Sequence, residues 1–580
     1  MRILLLCSAF NGLSQRVWTE LRRNGHHVVV QTADSDDAVR DAVARTRPEL
    51  VLCPFLKERV PDDVWRQHPT VIIHPGPIGD RGPSSLDWAI TDGVGEWGVT
   101  ALSAIDEMDG GPVWGTRTFR VDTADPPRKS TLYGGAVTDA AASLAREVVE
   151  KASDPLFVPL PLADHSPGSV RGRARPLMTQ ADRAFSWDEP TAEILRRIRA
   201  ADGFPGVRTT LAGLDVSVYD AHPDPYYGAA PRARPGEISL CQNGAVLVHT
   251  GDGALWIGHV RVRGAGNGTR VKLPASVALG ARVAQLPRRH EPFPGRPGQS
   301  SWSGYREIGY DRVGPVGVVS FDFHNGAMST AQCERLTAAL RYAAGQDTEV
   351  LLVQGGGFFS NGIHLNTIEA SSRPAPEAWR NINAIDDACA AVLDCTRQLV
   401  VAAISGNAGA GGVMLALGAD LVLARESVVL NPHYKSMGLY GSEYWTYTLP
   451  RRVGAAVATR LTEQCLPVGP AEAVGIGLVD EVLPGTCTEF AAAALHRAVE
   501  LACGSDRVRL LADKVRRREA DERHRPLAAY RHHELAAMSL DIFENRNGFD
   551  ELRHAFVTKR PSGQPTAVSR AHLLPTLVPA

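Results

Sequence analysis

The stretch Ile404–Ala424, ISGNAGAGGVMLALGADLVLA, reads as the end of a strand, a glycine-rich turn and a helix that opens straight out of it. The glycines at 406, 409, 411 and 412 let the backbone approach a ligand atom closely, and the new helix adds the positive end of its dipole. Such a turn can form half of an oxyanion hole. Around it runs a strand–helix pattern: GPVGVVSFDF, STAQCERLTAALRYAAG, TEVLLVQGGG, a long helix near 376–396, QLVVAAISGN and LVLARESVVLN, then charge-rich helical sequence from about 487 to 556. The periodicity predicts an α/β unit with a helical tail.

Upstream, RILLLC, LSQRVWTELRRNG, HHVVVQTA, DAVRDAVARTRP and ELVLCPF alternate strand and helix, the rhythm of a parallel sheet covered on both faces, with ligands expected at the carboxyl ends of its strands. Its first turn, CSAFNGLSQ, lacks G-x-G-x-x-G, which removes the main support for a dinucleotide site. A Pro/Gly/Arg-rich connection near 155–178 leads to a short amphipathic helix and alternating strands (TTLAGLDVSVYDA, GAVLVHTGDGALWIGHVRV), read as a small β-barrel in which GAGNG, 264–268, is a turn and not a phosphate loop. The expected division is 1–165 Rossmann-like, 166–285 barrel, 286–308 linker and 309–580 for the second α/β unit.

With 62 Lys+Arg against 64 Asp+Glu, the chain carries no electrostatic footprint for nucleic acid or an anionic membrane, so small-molecule substrates are expected. Nine scattered cysteines without a C-x-x-C pair suggest neither zinc nor disulfides. The apolar opening MRILLLC is too short for a signal segment or a membrane span, and no later segment is long enough to cross a bilayer. These features point to a cytoplasmic enzyme without a metal.

Two strand ends carry chemistry in the first half: His74 in VIIHPGPIGDRGPSSLDWAI, and Asp109 in VTALSAIDEMDGGPVWGTRTF. Alone, each is an ordinary turn residue. Together, in this order and spacing, they resemble the formyltetrahydrofolate-dependent formyltransferases over about residues 1–270. That resemblance implies that His74 and Asp109 converge on the formyl group of 10-formyltetrahydrofolate, with Asp80 and Arg81 on the cofactor side. The family's asparagine two residues before the histidine is Ile72 here, which removes one oxyanion donor. Losing such a donor costs about 10²–10³ in rate, so either another donor replaces it or the acceptor is a better nucleophile than an amine, such as a thiolate.

In the second half, GGGFFSNGIHL and the opening glycine turn, with FHNGAM at 323–328, resemble the enoyl-CoA hydratase/isomerase (crotonase) superfamily over roughly 310–505, which implies its ββα-spiral fold and coenzyme A as ligand. The matching oxyanion donors are the amides of Ile363, after Gly362, and of Gly411. Where hydratases carry two glutamates, this sequence has Met414 and His433, so hydration by paired carboxylates is not expected. The segment NPHYKSMGLYGSEYWTY offers His433, Tyr434, Tyr440 and Glu443; a carboxylate is costly to bury there unless it is paired or functional, which makes Glu443 the expected acid/base. In FVTKRP, Phe556, Lys559 and Arg560 are candidates for the nucleotide end of coenzyme A, against the ordinary reading of a solvated helix end.

A formyltransferase-like half fused to a hydratase-like half resembles the HypX (HoxX) type of hydrogenase maturation protein. That implies carbon monoxide production for the iron of [NiFe]-hydrogenase from formyltetrahydrofolate and coenzyme A, with the hydrogenase large subunit or other maturation proteins as partners. Formyl-CoA has no α-carbon to hydrate or isomerise, which leaves removal of the formyl proton and departure of the thiolate, with Tyr434 or Tyr440 orienting Glu443. A formyltransferase with an amine or sugar acceptor, and a non-catalytic coenzyme A-binding scaffold, remain open at this point.

Overall fold

A computed structural model of the chain describes residues 1–165, 171–224, 233–264, 271–289 and 304–559. The GAGNG turn, most of the expected linker and Arg560 lie outside these residues, in whole or in large part. The described ends of the linker are packed: the Arg289 N–H donates to Cys241 O at 3.0 Å, and Tyr305 is buried.

Six strands form the first sheet, β1 (Arg2–Cys7), β2 (His27–Thr32), β3 (Leu50–Phe55), β4 (Thr70–His74), β5 (Glu96–Ser103) and β6 (Val113–Arg120), in the order β2-β1-β3-β4-β5-β6. β1 to β4 are parallel, as the unbroken apolar runs require, but β5 and β6 are antiparallel. The helix Gly12–Arg23 after β1 is started by Asn11, whose side chain accepts the Ser14 N–H. Register pairs Ser103 with Val71 and Thr100 with His74, so the loop after β5 begins beside the far end of β4 and must fold back for Asp109 to reach His74.

An antiparallel sheet follows: β7 (Val207–Leu211), β8 (Leu214–Pro223), β9 (Ile238–Gln242), β10 (Ala245–His249), β11 (Ala254–Val262) and the short β12 (Leu273–Pro274). Its order is β7-β8-β11-β10-β9 with β12 on β11, and the helix Thr191–Ala200 shares its core through Ile194 and Ile198.

The last unit winds one strand into each of two sheets at every turn. The larger sheet is β13 (Ile308–Val313), β14 (Val316–Phe321), β15 (Val350–Gly355), β17 (Leu399–Ile404), β19 (Leu421–Arg425) and β21 (Glu481–Leu483); the smaller is β16 (Phe358–Ser360), β18 (Asn407–Gly409) and β20 (Leu430–Asn431). Parallel pairing of β16 with β18 and of β18 with β20 lines up the segments that follow these strands. Helices Leu527–Phe543 and Phe549–Thr558, expected as a tail, pack back onto this unit, with Met538, Ile542 and Phe549 in its core.

The three units meet at one buried carboxylate. Asp220 on β8 accepts from Arg128 (3.1 Å), His222 (2.9 Å), His259 (3.1 Å) and the Tyr305 hydroxyl (3.0 Å). Arg128 comes from the first unit and also pairs with Asp322 of the last, at 2.5 Å. His324 of the last unit packs against His259 with ring centroids 4.4 Å apart and accepts from Lys272 at 2.8 Å. Although burial works against its charge, the surrounding histidines hold Asp220 well below the usual carboxylate range. Arg128→Ala strands part of a buried charge and is expected to cost about 3–5 kcal/mol. Calorimetry checks this; an unchanged melting temperature would mean that the junction does not hold the units together.

Candidate active site

At the first strand end the structure brings His74, Asp80 and Asp109 together. His74 Nε2 and Asp80 Oδ2 are 2.8 Å apart, and Asp109 Oδ2 lies 3.4 Å from His74 Nδ1. Asp109 has φ +52°, and its carboxylate accepts the Gly82 N–H at 3.1 Å, which holds the folded-back loop in place. Asp80, expected on the cofactor side, is therefore the closer partner of the histidine. Arg81 pairs with Glu107, while its Nε, though buried, has no hydrogen-bond partner among the described residues. Ile72 alternates onto the same strand face as His74 and packs against an apolar cluster, so no donor stands at the family's asparagine position.

The second site is built at the carboxyl edge of the small sheet. Ala410, with φ +46°, presents Gly411 as the first residue of the helix Gly411–Leu417, where the helix itself leaves the N–H unbonded. Gly362 abuts this turn: a Cβ on Gly362 would lie 3.4 Å from the Gly411 nitrogen. Gly412 packs against the Ser360 carbonyl, leaving no room for a side chain. Two loops thus converge at one spot, with Gly362, Ile363, Ala410 and Gly411 lining a common cavity. His433, after β20, lies against Gly409, and its Nδ1 is 2.7 Å from Asn431 O; burial lowers its proton affinity.

Glu443 is the carboxylate at this spot. It is only 2% exposed and lies against the Cα of Gly411. It accepts the Tyr434 hydroxyl at 2.8 Å and the Ser442 N–H at 3.1 Å. Burial pushes its proton affinity up, and these hydrogen bonds oppose the shift. Of the two tyrosines expected to orient it, Tyr434 does so. Tyr440 does not reach it: its hydroxyl lies 3.2 Å from His533, and its ring packs on Trp445. Met414 is part of the hydrophobic core.

The two halves share a cavity of about 1190 Å³. Phe10, Asn11 and Gln15, at the carboxyl end of β1, form one wall; Gly411, His433 and Glu443 form another. Four cations stand on the lining, Arg261, Lys272, Lys435, which pairs with Glu463, and Lys559, the last with its ammonium 4.3 Å from the Phe556 ring centroid. Burial brings Lys272 down to about 8. Asp220, His259 and His324 have potential ligand atoms within 4.8 Å of one another, but a guanidinium and an ammonium already occupy this group, so it is arranged as an ion-pair network.

Profiles for "Formyl transferase, C-terminal domain" and "Enoyl-CoA hydratase/isomerase" match residues 177–267 and 315–563. Hydrogenase maturation factor HoxX of Bradyrhizobium diazoefficiens is 44% identical over 575 residues, 99% of this chain and 97% of that protein. The chain belongs to the HypX (HoxX) family of hydrogenase maturation factors. Within that family, HypX from Aquifex aeolicus in complex with tetrahydrofolic acid has the same fold, with a TM-score of 0.92 and 38% identity over 100% of both chains. A methionyl-tRNA formyltransferase of Sorangium cellulosum is 28% identical over 207 residues, 35% of this chain and 61% of that protein.

Sequence reasoning missed the Lys272–His324 pair in the cavity wall and the two carboxylates behind Glu443, Asp386 and Glu534. Each is one polar or charged group among several in its segment, and the sequence does not single it out. A Cβ on Gly411 would run into the Glu443 carboxylate. Gly411→Ala is expected to displace Glu443 and cost about 1–3 kcal/mol, the usual penalty of overpacking. Thermal melts check it; an unaltered stability would mean that the contact is not close.

Proposed function

We propose that this HypX-family protein makes carbon monoxide in two steps, transferring formyl from 10-formyltetrahydrofolate to coenzyme A and then breaking formyl-CoA into carbon monoxide and coenzyme A. The observation that carries the reading is the shared cavity, walled on one side by Phe10, Asn11 and Gln15, at the carboxyl end of β1 in the formyltransferase-like half, and on another by the Gly411–Glu443 spot; His74 and Asp109 stand outside its lining. Tetrahydrofolic acid in the Aquifex relative supports a folate as the formyl donor. A formyl acceptor that can visit both walls removes the need to release a reactive intermediate.

In the first step the thiol sulfur bonds the formyl carbon, the carbon–nitrogen bond to the folate breaks, and the thiol proton ends on the folate nitrogen. His74, steadied by Asp80 and Asp109, donates to the developing oxyanion and passes the proton. In the second step the amides of Ile363 and Gly411 hold the thioester carbonyl, and Glu443 takes the formyl proton. The carbon–sulfur bond breaks with its electron pair on sulfur, and Glu443 returns the proton to the thiolate, so the atoms and charges balance. The positions where hydratases hold their two glutamates carry Met414, in the core, and His433, which suits a pocket that does not deliver water. The hydrogenase large subunit, or another maturation protein, is the expected recipient of the gas.

Glu443→Gln keeps the shape of the side chain and removes its proton affinity. Carbon monoxide release should fall by about 10²–10⁴ while folate deformylation continues. Both are read in one reaction; parallel loss would mean that Glu443 does not serve the second step alone.

Arg261, Lys272 and Lys559, on the cavity lining, would meet the phosphates of coenzyme A. Because burial holds Lys272 at about 8, it is charged below that pH and neutral above it. An anion binds the charged form, so affinity should fall about tenfold as pH rises through 8, the ~1.5 kcal/mol of one charge-assisted contact. Calorimetry with S-methyl-CoA, whose sulfur cannot titrate, checks this, and Lys272→Met should abolish the pH dependence. Equal affinity at pH values of about 7 and 9 in the parent protein would take Lys272 out of the phosphate contacts.

A further inference from the structure

Glu443 and Tyr444 adopt φ +64° and +59°, two left-handed residues in succession, and neither is glycine. Such a conformation is disfavoured for any residue with a Cβ and persists only where surrounding groups hold it. What holds it is visible on both sides of the Glu443 Cα. Asp386 Oδ1 accepts the Glu443 N–H at 2.8 Å. Glu534 Oε2 accepts the Tyr444 N–H at 2.9 Å, and its Oε1 accepts the Thr446 N–H at 2.8 Å and the Thr446 hydroxyl at 2.5 Å.

These carboxyl groups come from two different helices, Pro374–Leu393 and Leu527–Phe543, and both are fully buried. We propose that Asp386 and Glu534 are positioning residues for Glu443, gripping the peptide groups before and after its Cα so that its carboxylate stays against Gly411. The inference rests on the reading of Glu443 as the base of the second step.

The arrangement is a costly way to fill space. Burial, reinforced by the charges of Glu443 and Glu534, pushes Asp386 well above the ordinary carboxylate range; burial likewise raises Glu534, to about 7. One guanidinium stands nearby, Arg531, with Nε 3.7 Å from Asp386 Oδ2 and Nη1 bonded to Asp387 at 2.6 Å. Asp386 Oδ2 makes no hydrogen bond among the described residues, so asparagine at 386 can keep the accepting oxygen, with its amide nitrogen on the side that faces Arg531. Alanine keeps nothing. A device that only fills the core would not distinguish the two replacements in the chemical step alone.

The test uses the full chain supplied with formyl-CoA, with gas release followed through a haem reporter and folate deformylation measured alongside. Asp386→Ala and Glu534→Ala should lower kcat for carbon monoxide release by about 10²-fold, the usual effect of misplacing a reacting group by about 1 Å. KM for formyl-CoA and the deformylation rate should stay within about threefold of the parent, and Asp386→Asn should recover most of the lost kcat. A parent-like kcat in the alanine variants overturns the inference, as does a joint loss of kcat, binding and deformylation, or a failure of asparagine to rescue. Should Asp386→Ala not fold, Glu534→Ala decides by the same readout. Glu443→Gln, run in parallel, separates the two claims: full gas release there overturns Glu443 as the base, and this inference with it, whereas an inactive Glu443→Gln beside a fully active Asp386→Ala overturns this inference alone.

Discussion

Asp220 keeps a negative charge in a place that water does not reach, and it can do so only because donors from three segments of the chain converge on it. Arg128 belongs to the first sheet's unit, His222 and His259 to the antiparallel sheet, and Tyr305 to the segment leading into the last unit. A buried ion network is weak evidence of net stability, but breaking it is expensive, and that makes it a good device for fixing which surfaces face each other. Here it fixes the walls of a cavity. Separate the units and the strand end bearing Asn11 no longer faces the loop bearing Glu443.

The same logic governs the second site on a smaller scale. Strand pairing in the small sheet sets two glycine turns side by side, but a turn only offers N–H groups; a carboxylate must be brought to it. Glu443 reaches Gly411 from a loop with unfavourable backbone angles, held by groups on helices far away in sequence. The helices expected as a tail thus become part of the site, through Glu534 and Met538.

What the sequence makes legible here is what depends on neighbours along the chain. The apolar runs of β1 to β4 predict a covered parallel sheet, and the glycines at 362, 411 and 412 predict backbone loops that approach closely. His74, Asp109, Tyr434 and Glu443 stand out because polar groups at strand ends or in apolar turns need a reason. The antiparallel course of β5 and β6 was not legible, because strand direction follows from the path of the connection and not from composition. Tyr434 and Tyr440 could not be told apart, since five residues, among them a left-handed Gly438, separate them and only the turn decides which one faces inward. Asp386, Glu534 and the Lys272–His324 pair are invisible for a related reason: each is defined by a partner distant in sequence.

Supplying purified protein with 10-formyltetrahydrofolate labelled with ¹³C in the formyl group, with coenzyme A and a haem reporter, tests the central claim most directly. The account predicts labelled carbon monoxide on the haem, in an amount that tracks folate deformylation and vanishes when coenzyme A is omitted. Labelled formate or formyl-CoA accumulating in step with deformylation, with no labelled carbon monoxide on the haem, would contradict it.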